Sequence, residues 1–339
     1  MSVTYLDIRI SGETIRVPST QIDGRTIVVT GKWLRVAAAN DEDLVEGEVV
    51  PNPQVFISEL KKSPVGADIL TFPQSMLEAP PTHRYPFEWD NVALARTEDF
   101  NAWWKNLPQE ARKNARRAIK KGVSVRVAKF DDDFVKGIKG IYDETPVRQG
   151  MHFWHFGKDL ATVKMENGTY LDRSEFIGAY LDAELIGFIK FVYVDKRAKI
   201  MQILSKTRHY DKRPMNALIA KAVEVCNEKG MSYLEYSKFT FGNKKTSQLT
   251  EFKRRNGFEP LKFARYYVPL TLKGRIALKL KLHRGLLGIL PSGLIDILLR
   301  VRSRLIHMTP TLMARHLTIG SRDEREPEAP IVPANSTEP

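Results

Sequence analysis

Cysteine is almost missing from this chain of 339 residues, where Cys226 is the one thiol. A single thiol excludes an internal disulfide framework and a cysteine-ligated metal site, and it fits a reducing compartment. Long apolar runs are missing too. The best candidate, residues 286–299, is broken by Pro291 and carries Asp296, so no bilayer-spanning helix is expected. Residues 1–16 alternate polar and apolar side chains like a strand, which is not the pattern of a secretion signal. The expected location is the cytoplasm, with any membrane contact made at its inner face. His152 and His155 have no carboxylate or third histidine beside them, so no metal site is expected. Acid is in deficit, with 40 Asp and Glu against 53 Lys and Arg, a formal net charge of +13. Such an excess asks for an anionic partner: nucleic acid, a membrane surface or a phosphorylated small molecule. No helix-turn-helix or zinc pattern supports sequence-specific DNA binding.

What is present is globular, with 42% hydrophobic residues. Residues 1–36 read as β-rich. Tyr5, Leu6, Asp7, Ile8, Arg9 and Ile10 alternate, and Thr14–Val17, Thr26–Val29 and Trp33–Val36 follow as short strands. Residues 53–62 suit a helix, 67–72 a strand, and Pro80, Pro81 and Pro86 a stiff connector. The spacing predicts an N-terminal region over 1–98, a main domain over 99–271, a basic helical segment over 272–318 and a disordered tail over 319–339.

The main domain is organised around residues 199–262. Ile200, Met201, Gln202, Ile203 and Leu204 form a short apolar run that suits a buried strand. A basic turn ends in Lys212 and Arg213, and Pro214 fits the first position of a helix ended by Gly230. Residues 232–237 read as a strand, and 246–256 as a helix closed by Gly257 and Phe258. A strand feeding a cationic helix N-terminus favours an anion there. An ordinary solvated crossover is the plainer account.

Upstream, residues 105–126 hold eight basic residues and one acid, Glu110. Trp103 and Trp104 precede this helix and Asn106 is placed to cap it. Arg112, Arg116 and Lys120 fall at i, i+4 and i+8, one helical stripe. It marks either an anionic partner or a solvated face. Asp131 caps a further helix. The loop 148–158 then gathers Arg148, His152, Trp154 and His155, which suits either an acceptor-binding lip or aromatic packing. Residues 175–181 and 184–194 pair as a hairpin. In 292–307, Leu294, Leu298, Val301 and Leu305 make an apolar stripe opposite Arg300 and His307, as in a membrane-surface helix. The run Lys279, Leu280, Lys281, Leu282 fits no helical stripe.

The order of elements over 123–269 resembles the core of the GNAT acyltransferase superfamily. Phe252, Lys253, Arg254, Arg255, Asn256, Gly257 and Phe258 look like its helix end before a Gly-Phe pair, and the arginine-rich 107–118 segment is similar to a helix of the FemAB-like branch. That branch includes peptidoglycan-precursor aminoacyltransferases and proteins of envelope polysaccharide pathways. The resemblance implies an α+β fold with a mostly antiparallel sheet flanked by helices. It implies an acyl- or aminoacyltransferase whose acceptor is the amine or hydroxyl of an envelope saccharide or peptidoglycan precursor. Met201, Ile203 and Leu204 would flank the donor, and Lys212, Arg213, Met215, Asn216, Asn243 and Lys245 would hold it. Glu235 and Tyr236 would move protons, while Arg148, His152, Trp154 and His155 would line the acceptor. The loop from Tyr210 to Asn216 contains no glycine, where the family's acyl-CoA loop is glycine-rich. The donor expectation therefore divides between acyl-CoA, such as acetyl-CoA, and aminoacyl-tRNA. The alternative is a non-catalytic GNAT-like module that binds RNA or an anionic membrane.

Overall fold

The structure is a computed structural model that describes residues 3–10, 13–40, 50, 52–76, 80–148, 150–240 and 247–284. In chain order its strands begin with β1 (Thr4–Ile10), β2 (Glu13–Ile22), β3 (Arg25–Thr30), β4 (Val36–Ala39), β5 (Ile69–Pro73), β6 (Phe87–Arg96) and β7 (Val123–Val127). They continue with β8 (Val147–Arg148), β9 (Met151–His152), β10 (Ser174–Leu181), β11 (Glu184–Val194), β12 (Arg197–Ser205), β13 (Tyr233–Glu235) and β14 (Glu259–Pro269). The helices are α1 (Pro53–Lys62), α2 (Phe100–Asn106), α3 (Gln109–Lys120), α4 (Asp132–Tyr142), α5 (Leu160–Asn167), α6 (Pro214–Glu228), α7 (Gln248–Arg255) and α8 (Leu272–Lys279). The protein is α+β, with mostly antiparallel strands flanked by helices.

The chain forms two compact units. One takes the described residues of 1–90 and 262–284, and the other takes 91–240 and 247–261. The boundary near residue 90 falls inside β6, and the chain returns to the first unit at Lys262. A division into consecutive segments at 98 and 271 does not describe this arrangement, because pairing over long sequence distances decides it.

In the first unit the strands run β1-β2-β3-β4-β5-β14, all antiparallel except β4 with β5. Asn52 caps α1 by accepting from Gln54 N–H, and Pro53 starts it. The helix buries Phe56 and Leu60 against Ile27, Leu70, Phe72 and Tyr266. In the second unit the order is β6-β13-β12-β11-β10-β7, antiparallel except β12 with β13. Asp131 caps α4 through Phe134 N–H, and α4 packs Phe134, Ile138 and Tyr142 with Phe176 and Phe188. Gly187, next to Phe188, faces the other way toward Leu218 of α6. Successive strand residues point to opposite faces, so α4 and α6 cover opposite sides of this sheet.

Several local expectations change. Trp103 and Trp104 lie within α2, which Asp99 caps, and Asn106 ends that helix instead of starting the next one. Helix α3 has Pro108 at its N-cap with no side-chain bond, and it buries Ala111, Ala115 and Ala118. Residues 87–96, for which no element is expected above, form β6. The last N-terminal strand starts at Val36 and not at Trp33. Lys279–Leu282 makes no stripe because Leu280 caps α8 and Lys281 takes φ 57°. The helix expected over 292–307, the tail 319–339 and most of the acidic 40–48 stretch lie outside the described residues.

Candidate active site

Strand β12 and strand β13 run parallel but pair at three positions only: Arg197 with Tyr233, Ala198 with Leu234, and Lys199 with Glu235. On its other side β12 stays paired with β11 as far as Ser205. The two parallel strands therefore part after Lys199 and Glu235. Lys190 faces Gln202 while Phe191 faces Ile200, which leaves Met201 as an extra residue on β12. Such a bulge bends the strand and increases its local twist. Ile203 and Leu204 are buried beyond it, and Met201 and Gln202 are half-buried.

A 3-10 turn over Thr207–Lys212 leads to Arg213, which takes a left-handed φ of 58° immediately before Pro214. This is costly for a residue with a side chain, and more so before proline. Lys212 pairs with Asp211, which also binds Lys121. The Arg213 Nε is buried without a hydrogen-bond partner among the described residues. Burial and the nearby Arg117 lower the Arg213 pKa, with Glu110 and Asp211 opposing them. Arg213 and Asn216 line a cleft with Glu110 and Asn114 of α3 and with Arg255 and Asn256 at the end of α7. Asn216 donates to Asn256 Oδ1 at 2.9 Å, and Asn256 donates to Phe252 O at 2.7 Å. Met215 is buried and does not reach the cleft lining. The lining combines two guanidinium groups, two side-chain amides and the N-terminus of α6, which suit a phosphate-bearing group, with the Glu110 carboxylate 3.9 Å from Arg255 Nη1. Sequence reading missed Arg255 and Asn256, although both sit in the Phe252–Phe258 run.

Across the unit, His155 is buried with its ring 3.5 Å from Trp154 and 4.2 Å from Tyr142. Asn167 Nδ2 donates to the Tyr142 hydroxyl at 3.2 Å, Tyr142 donates to Gln202 Oε1 at 2.7 Å, and Gln202 Nε2 lies 3.0 Å from His155 Nε2. Asn167 Nδ2 also donates to Val163 O, which leaves the Tyr142 O–H free to donate to Gln202. With Gln202 Nε2 as the donor, His155 Nε2 accepts. Burial raises the Tyr142 pKa. The network ties the 148–158 loop to the bulged part of β12. Replacing Gln202 by Leu is expected to orphan the Tyr142 hydroxyl and to remove the donor to His155. The expected loss is about 2–3 kcal/mol of stability, read as a urea midpoint shift at unchanged slope.

The other expected site residues fall in different environments. Trp154 and His152 are exposed, and Trp154 carries Lys158 Nζ 3.8 Å above its ring. Arg148 is buried beneath the loop: it donates to Ile141 O at 2.9 Å and Ser205 O at 3.3 Å, and lies 3.6 Å from Glu144. It clamps α4 to the end of β12 and does not stand on an acceptor-facing rim. Glu235 is fully buried, with Oε2 2.6 Å from Arg197 and Oε1 3.1 Å from Lys199. Strand β13 is covered on both faces, and Leu234, Glu235 and Tyr236 are all buried. Tyr236 packs its ring against Phe258 and below Lys253 Nζ, 4.5 Å away, and burial raises its pKa. Asn243 and Lys245 lie outside the described residues. Burial pushes the Cys226 thiol up to about 12, which removes it as a nucleophile. Among the described residues no group of three or more His, Cys, Asp or Glu is placed to hold a metal ion.

No protein-family model matches the chain, and no curated protein matches its sequence. Solved structures do match it. FemX is 10% identical, with a TM-score of 0.50 over 83% of this chain and 90% of that one. The fold is GNAT-like, of the FemAB kind. Two further structures have TM-scores of 0.49 at 13% identity. One is the C-terminal domain of a putative lysylphosphatidylglycerol synthetase from Agrobacterium fabrum, covering 78% of this chain and 87% of that one. The other is L-PGS from Bacillus licheniformis, covering 86% and 90%. In this GNAT-like fold the parting of β12 and β13 and the Arg213 cleft are features of one compact unit.

Proposed function

We propose that the chain is a GNAT-fold acyl- or aminoacyltransferase that moves an acyl group from an activated, phosphate-bearing donor to an amine or hydroxyl of an envelope saccharide or peptidoglycan precursor. The observation that carries this reading is the parting of β12 from β13 at Lys199 and Glu235. Among the described residues it leaves β12 backbone beyond the bulge without a ladder partner on that side, so an extended donor can take the missing place. The donor would supply the activated carbonyl, which the acceptor attacks.

The residues divide the work. Arg213, Arg255, Asn216 and Asn256 would hold the donor's phosphates. The neighbourhood of Met201, Ile203 and Leu204 would flank its acyl arm. Trp154 and His152 would meet the acceptor, with His155 holding the bulge through Gln202. Tyr236 keeps its proton because burial raises its pKa, so it suits donation to the leaving group and not proton abstraction. Glu235, held by two cations, is a positioning residue in this scheme.

Calorimetric titration of the full chain with acetyl-CoA, free CoA and a stable aminoacyl-tRNA analogue tests the reading. Micromolar binding of one donor class is the expected result. Saturation by CoA alone would make the arginine cleft a substitute for the missing glycines. Saturation by the tRNA analogue alone would assign the donor to the aminoacyl class. Binding by none of them would overturn the transferase reading and leave a non-catalytic module.

A further inference from the structure

The first unit carries an apolar ridge that the transferase reading does not use. Helix α8 buries Gly274 and Ala277, and its larger side chains face outward. Leu272, Ile276 and Leu280 are 69%, 50% and 60% exposed. Their i, i+4, i+8 spacing places them on one stripe. Trp33, 62% exposed, lies at the start of this ridge, where Lys273 Nζ stands 5.2 Å from its ring centroid and donates to its carbonyl. A soluble helix ordinarily turns such a stripe inward; here the small face is buried and the aliphatic face is in water.

The orientation is held firmly. A Cβ on Gly274 would lie 2.0 Å from the Asp68 carbonyl oxygen, so the helix rests directly on the backbone before β5. Asp68 accepts from Arg35 N–H at 3.0 Å and Thr271 Oγ1 at 2.8 Å, and lies 3.2 Å from Lys273 Nζ. Its carbonyl accepts from Leu270 N–H at 2.8 Å. Thr271 in turn caps α8 through Gly274 N–H.

Basic side chains predominate around the ridge, with Asp68 paired to Lys273 and Glu88 to Arg284. Residues 270–284 contain no Asp or Glu. Lys273 shares Asp68, while Arg275, Lys279 and Lys281 have no ion-pair partner among the described residues. Lys32 adjoins Trp33 in sequence. A nucleic acid would answer these cations but leave three aliphatic side chains and an indole in water. A neutral protein surface would answer the aliphatic ridge but not the cations. A bilayer rich in anionic lipid answers both, with aliphatic groups entering the acyl boundary, the indole at headgroup level and the long basic side chains reaching the phosphates.

We infer that the face formed by α8 and Trp33 docks the protein on an anionic membrane surface. This goes beyond the transferase reading and does not rest on it, since vesicle binding requires neither donor nor turnover.

The test is co-sedimentation of the full chain with vesicles of phosphatidylglycerol and phosphatidylcholine, beside vesicles of phosphatidylcholine alone, at physiological salt. The expected result is binding to the anionic vesicles, lowered at least about tenfold by Leu272→Ser, Ile276→Ser and Leu280→Ser together. Arg275→Glu with Lys279→Glu should lower binding to anionic vesicles and leave the weak binding to neutral ones unchanged. Tryptophan emission should shift to the blue on vesicles, and less so in Trp33→Phe. All the substituted side chains are exposed, so the melting temperature should stay within about 2 °C. Failure of the wild-type chain to bind, or equal binding by the triple serine variant, would overturn the inference. So would a melting temperature lowered by many degrees in the triple variant, because the ridge would then be covered by the chain itself.

Discussion

Replacing Glu235 with Ala is expected to cost about 3–5 kcal/mol of stability, because it leaves the buried Lys199 ammonium without its counter-ion and takes a carboxylate from Arg197. The carboxylate is fully buried, with Arg197 2.6 Å from one oxygen and Lys199 3.1 Å from the other. Lys199 is itself 4% exposed. Water cannot replace the missing charge there, and a buried ammonium without its counter-ion carries a large desolvation cost. The measurement is the urea midpoint, which should fall by a molar or more. Glu235→Gln keeps shape and an acceptor oxygen and should cost less. Converting the cluster together, with Arg197→Met, Lys199→Met and Glu235→Leu, should recover much of the loss, since buried ion clusters rarely exceed apolar packing in stability. The same variants separate structure from chemistry. A folded Glu235→Gln protein that binds donor normally but turns over at least a hundredfold more slowly would return Glu235 to a catalytic role.

Arg213→Gly should divide stability from binding. Arg213 takes φ 58° before a proline, where glycine would be free of the side-chain penalty of about 1–2 kcal/mol. The substitution is therefore expected to leave stability unchanged or raise it by about 1 kcal/mol. Donor binding should fall about 10- to 100-fold, the loss of one charge-assisted fork worth roughly 1.5–3 kcal/mol. Adding Arg255→Ala should deepen the loss and flatten the dependence of affinity on salt. Backbone strain held by a side chain that makes no internal hydrogen bond through Nε is the kind of cost that a binding site carries. If Arg213→Gly binds donor as the wild type does, the cleft is not the phosphate site.

The contrast between Pro214 and Glu235 shows where sequence reading succeeds. Local signals placed α6, α4 and the 174–194 hairpin, because Pro214, Asp131 and the Asp182 turn act within a few residues of where they stand. The same locality gave the GNAT-like order of elements and the cationic approach to α6. It failed at β6, where Pro86 ends a connector but the strand depends on partners more than a hundred residues away, Tyr233 to Glu235. It failed also at Asn106, since two short helices with a proline between them look like one preceded by a cap.

Amino-acid sequence by itself determined most of the elements and their order, the positive charge and the exclusion of an internal disulfide, because each follows from local spacing or simple composition. Tertiary structure decided which side chains are free to act. It buried Glu235 between two cations and turned Arg148 inward. It brought Arg255 and Asn256 beside Arg213, and left Leu272, Ile276 and Leu280 in water. Burial and proximity are properties of strands and helices packed across long sequence distances. Alternation along one strand cannot report that both of its faces are covered, and helical spacing cannot report which stripe finds a partner.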